Sequence, residues 1–169
     1  MSWEMVKNAG QAAWAVIKDG EPSAEVATST ANAVPQVDDW QNLATGFYPP
    51  KSIWMSYSWP VNVPDWFGEY VYVEFKILLK WDYGATYKGG GAFIPSVWLE
   101  VPNAYDAWSW HTNIDVRFHP PTNANAADPT RPIARMPVSV AGTVKTYEHH
   151  QRVEWGFTLY GNGAWSRDT

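Results

Sequence analysis

The sequence predicts an all-β protein, a single antiparallel β-sandwich or jelly-roll-like domain of about eight strands over residues 1–169. Three observations predict it. Apolar and polar residues alternate at strict period two over long stretches, Pro- and Gly-rich punctuation separates those stretches, and no sustained helical pattern follows residue 45. A chain of 169 residues can bury most of its apolar surface in one core without staples.

The first element is open between two readings. Ser2 fits the N-cap of a short helix ending before Gly20 and Pro22, whereas Gln11 to Lys18 also fits a strand. Ser52 to Trp59 lies between Tyr48-Pro49-Pro50 and the prolines at 60 and 64, and reads as a strand. Glu69 to Trp81 is the clearest strand. Val71, Val73, Phe75, Ile77, Leu79 and Trp81 share one face, and Tyr70, Tyr72, Glu74, Lys76, Leu78 and Lys80 the other. Gly84 punctuates the chain after it, and Gly89-Gly90-Gly91 reads as a hairpin rather than a phosphate cradle, because it lies between strands. Strands follow at Phe93 to Val101, at Asn113 to His119 with Ile114, Val116 and Phe118 alternating, and at Met136 to Thr146. Thr122 to Arg131 reads as a long loop, and Tyr147 to Gln151 as a polar turn. The last strand is Arg152 to Tyr160, with Val153, Trp155, Phe157 and Leu159 inward, closed by the turn signal Gly161-Asn162-Gly163.

Composition excludes several classes. A net charge of −5 and the lack of any basic run argue against a nucleic-acid partner. The N-terminal residues show no basic segment followed by a long apolar one, which predicts synthesis in the cytoplasm without a cleaved leader. Absence of cysteine removes disulfides, thiolate nucleophiles and cysteine metal sites, and fits both a reducing cytosol and release by a non-classical route. Esterase, zinc-protease, P-loop and dinucleotide fingerprints are missing, so no cofactor is called for.

The distinctive feature is aromatic excess: twelve tryptophans and nine tyrosines exceed what one small core hides. Strand indoles such as Trp81, Trp98 and Trp155 are read as core. Two clusters differ. One runs from Trp54 to Phe67, where a strand hands over to a loop carrying Trp59, Asn62, Asp65 and Trp66. The other is Tyr105-Asp106-Ala107-Trp108-Ser109-Trp110-His111, in which an extended backbone would set Trp108 and Trp110 on one side as a two-ring platform. A sugar needs a ring against its C–H face and short polar groups for its hydroxyls, and both clusters offer that pairing.

Other chemistry is thinner. Glu148-His149-His150 with Glu154 contains ligand types, yet adjacent strand residues point to opposite faces, so no metal site is predicted. His119 shares a face with Asp115 and Arg117, which reads as a solvated surface or an imidazole–carboxylate pair. A glycosidase would need two of Asp65, Glu69, Asp106, Asp115 and Glu154 brought together by folding.

The sequence therefore predicts a non-catalytic, lectin-like binding module. Trp59, Trp66, Trp108 and Trp110 would stack on a glycan, beside Tyr105, while Asn62, Asp65, Asp106 and His111 orient its hydroxyls. Weak single-site affinity predicts a homo-oligomer. The same rings suit a lipid headgroup layer. Ser58-Trp59-Pro60 followed by Trp66 and Tyr70 resembles the membrane-contacting segment of actinoporin-type cytolysins, a likeness confined to that segment. The resemblance implies a membrane-binding toxin component whose N-terminal stretch is an amphipathic insertion helix. A third expectation, from fold class alone, is a structural jelly-roll subunit of an assembly.

Overall fold

The computed structural model describes residues 11–15, 31–33, 43–44, 48–62, 69–106, 111–128, 130–145 and 150–168. Twelve strands and no helix occur among them. They are β1 (Gln11–Ala15), β2 (Ala31–Ala33), β3 (Leu43–Ala44), β4 (Lys51–Asn62), β5 (Glu69–Trp81), β6 (Ala85–Tyr87), β7 (Gly90–Asp106), β8 (His111–Phe118), β9 (Thr122–Asn123), β10 (Ala134–Lys145), β11 (His150–Tyr160) and β12 (Trp165–Arg167). The N-terminal choice resolves at residues 11–15 in favour of a strand, paired antiparallel with β8 from Gln11 opposite Arg117 to Ala15 opposite Asn113. Against about eight expected, six strands are eight residues or longer and six are two to five residues long, and most of the short ones have too few residues for period two to show.

Two antiparallel sheets form the sandwich. The first has the order β1-β8-β10-β11-β12 with β9 also on β10, and the second the order β3-β6-β7-β5-β4 with β2 also on β7. Between β2 and β7 every strand lies in the second sheet, and from β8 onward every strand lies in the first. Sheet-mates are therefore joined mostly by hairpins. The tightest one joins β6 to β7 through Lys88 and Gly89, both at positive φ, the geometry that matches strand twist in a two-residue hairpin.

Period-two faces meet in the middle. Val73, Phe75, Ile77, Leu79 and Trp81 of β5 oppose Ile114, Val116 and Phe118 of β8, Met136, Val138 and Val140 of β10, and Trp155, Phe157 and Leu159 of β11, in one buried cluster. Val153 is partly buried against it. Phe75 reaches across between the sheets to meet Trp155 edge-on, with centroids 6.2 Å apart at 88°.

Two prolines sit where the ladders can spare a donor. Pro60 sits at a register shift in β4, an edge strand, where a missing N–H is tolerated. Pro137 stands inside β10, but its carbonyl accepts from His119 N at 2.9 Å just where β8 ends, so its missing donor faces the side on which the ladder has ended.

One corner of the sandwich is laced shut by backbone. Gly84 N donates to Gly161 O at 2.7 Å, Ala92 N to Pro132 O at 2.8 Å, and Ala92 bridges Ile133 in parallel. A Cβ on Gly161 would lie 2.0 Å from Ala92 O, so only glycine permits this approach. The exposed Tyr48 ring stacks on Tyr83 here, centroids 5.3 Å apart.

Candidate functional site: the cleft between the edge strands

The aromatic residues singled out from sequence fall into two groups. Trp59 and Asn62 lie on the second half of β4, and Tyr105 and Asp106 at the end of β7. Trp59 and Asp106 are both in register with Val73, so pairing through β5 brings the two clusters to one end of one sheet. Asp65, Trp66, Trp108 and Trp110 lie outside the described residues. His111 begins β8 in the other sheet, exposed and opposite Lys145.

The site that the described side chains build lies elsewhere. β4 ends the second sheet and β12 ends the first, and a cleft of about 270 Å³ opens between these two edges. Ile53 and Met55 of β4 face inward and wall one side, Trp155 and Phe157 of β11 make up part of the lining, and Trp54, Ser56, Trp165 and Arg167 complete it. Period two explains the split: Ile53 and Met55 are buried, while Trp54 between them is 62% exposed. Trp165 is 47% exposed and meets Phe157 at 64° with centroids 6.2 Å apart. The wall beneath it is braced, because Trp155 abuts Phe75 and Phe75 in turn meets Tyr57 at 5.4 Å. Burial raises the Tyr57 phenol above its ordinary pKa, which keeps it protonated.

Beside the cleft, Lys51 ties the two edges together. Its ammonium donates to Gly163 O at 2.7 Å and sits 5.2 Å from the Tyr83 ring centroid. On the outer face of the second sheet, Trp54 is in register with Leu78, and Leu78 with Glu100. Lys80 pairs with Glu100 at 2.9 Å and Trp98 Nε1 donates to the same carboxylate at 3.0 Å. Those donors, Lys80 first and Trp98 second, hold Glu100 below its ordinary pKa. Trp98 is thus a half-buried outward residue, a correction to the core reading, whereas Trp81 and Trp155 are buried as expected. The core reading rests on the general tendency of strand indoles to be buried; in β7 the buried residues Val97 and Leu99 on either side take the inward face and leave Trp98 outward.

A second concavity, of about 370 Å³, lies on the outer face of the first sheet among Asp115, Arg117, Ser139, Ala141, Arg152 and Glu154. Asp115 and Glu154 are each in register with Ala141, two strands apart, which brings together one of the carboxylate pairs considered for a glycosidase. Arg152 bonds Glu154 and lies 4.0 Å from Asp115, so the groove's charges face one another across an ion-pair network. His119 bonds Ser139 Oγ at 2.8 Å rather than a carboxylate. Among the described residues no cluster of three or more metal-ligand side chains exists.

Comparison with known proteins finds no matching family model, curated protein or solved structure. The functional reading rests on the site itself.

Sequence reasoning missed Trp54 and Trp165 as site residues. Trp165 follows a turn in the last residues of the chain and carries no periodic signal. Trp54 had one: it is the odd residue between Ile53 and Met55 on a strand whose inward face they define.

Proposed function

We propose that this protein is a saccharide-binding module whose ligand enters the cleft between β4 and β12. One observation carries the reading: Trp54 and Trp165, the two tryptophans exposed among the described residues, line the same cleft. An indole face suits the C–H face of a pyranose, and Ser56 and Arg167 add polar residues to the same lining. A cleft of 270 Å³ holds roughly nine waters at about 30 Å³ each, enough for one sugar ring with its neighbours left wet. Single-site affinity of such a shallow site is weak, so a useful lectin presents several copies together.

The test is titration of the protein with a panel of methyl glycosides, read by tryptophan fluorescence and calorimetry. Saturable binding that falls at least tenfold, about 1.4 kcal/mol, in both Trp54→Ala and Trp165→Ala supports the cleft. A panel without a binder, or binding indifferent to both substitutions, overturns it.

A further inference from the structure

We infer that the saccharide carries an anionic group, a carboxylate in the first instance, recognised by Arg167; this deepens the reading of the cleft as a sugar site and rests on it. Among the described residues that line the cleft, Arg167 is the single charged one. No carboxylate stands among those described lining residues to neutralise it. The ion pairs of the described residues join Lys76 to Glu74, Lys80 to Glu100, and Arg152 to Glu154 and Asp115, and Arg167 takes part in none. The nearest acid in sequence, Asp168, is engaged by Thr158, whose Oγ1 lies 3.0 and 3.2 Å from its two carboxylate oxygens. Thr158, itself buried, is on the face of β11 opposite to that of Phe157, with which Arg167 is in register. Alternation therefore places Arg167 on the cleft side and leaves Asp168 away from it.

The other concavity differs in its charges. There, two carboxylates meet the charge of Arg152 within the protein. In the cleft, the described residues supply indoles and a guanidinium but no counterion, in a protein whose overall charge is −5. A planar guanidinium matches a carboxylate with two parallel N–H donors, so a uronic-type sugar would stack on the indoles while its acid group meets Arg167.

The experiment uses the full chain and two probes differing only at one carbon, methyl glucuronide and methyl glucoside. At about 50 mM salt the uronide is expected to bind roughly fivefold tighter, an advantage that shrinks towards none as about 0.5 M salt screens an exposed charge. Arg167→Gln should abolish the uronide-over-glucoside preference, and Arg167→Lys should keep part of it; thermal melts check that both variants fold. Equal affinity for the two probes, with both lost in Trp165→Ala, overturns the anion inference while the sugar site stands. A uronide preference that survives in Arg167→Gln overturns it too. Binding of neither glycoside, or binding only to phosphatidylglycerol vesicles, removes the sugar reading and this inference together.

Discussion

Trp165 of the last strand meets Phe157 edge-on across the β11–β12 pairing, at 6.2 Å between centroids, and so holds an exposed indole at the mouth of the cleft. The contact gives Trp165 a structural share as well as a binding one. Trp165→Ala is expected to cost about 1–2 kcal/mol in urea denaturation, from a lost aromatic pair worth about 0.5–1.5 kcal/mol and some lost burial. Trp165→Phe should recover most of that stability.

Trp54 makes the complementary case. It is 62% exposed, so Trp54→Ala should change stability by no more than about 0.5 kcal/mol while lowering affinity for any cleft ligand. A large loss of stability on chemical denaturation would show that the ring packs on the outer sheet face instead of waiting for a ligand.

Gly161 and Gly142 are expected to be intolerant for different reasons. A Cβ at Gly161 would lie 2.0 Å from a backbone oxygen, which cannot move without breaking the laced corner. A Cβ at Gly142 would lie 2.5 Å from Phe75 Cζ, a side chain held between the sheets. Gly142→Ala should cost about 1–3 kcal/mol by overpacking, and Gly161→Ala more. Thermal melts of the two variants give the order.

The Glu100 carboxylate is held below its ordinary pKa by Lys80 and Trp98. A depressed folded-state value means that its contribution is present above the unfolded pKa and is lost as pH falls through the folded one. The side chain is 42% exposed, so the contribution at neutral pH is at most about 1 kcal/mol after solvent screening. Glu100→Gln should therefore flatten the acid limb of a melting-temperature profile below about pH 4.3 and leave the neutral-to-alkaline part parallel to the parent. An unchanged acid limb would show the pairing to be energetically silent.

Trp81 is fully buried and its Nε1 finds no acceptor among the described residues. An unpaired buried donor costs about 1–3 kcal/mol, which offsets part of what the indole's size contributes. Trp81→Phe is expected to cost less than the roughly 3–5 kcal/mol of a Trp→Ala truncation, by equilibrium unfolding.

What the sequence by itself determined is the set of long strands and the faces they bury. Period two marks β5 at its full length, Glu69–Trp81, and places Phe75, Ile77, Leu79, Ile114, Val116, Phe118, Trp155, Phe157 and Leu159 in the core, because alternation is a local property of an extended backbone. Short strands such as β6 and β12 were not legible, since three residues carry too little pattern and are defined by the neighbours they pair with. Only the tertiary structure decided which strands became edges. Trp54 and Trp165 stand 111 positions apart in a chain of 169, and nothing local links them. They line one cleft because β4 ends one sheet and β12 the other, and strand order is fixed by long-range pairing and by the burial of two faces against each other.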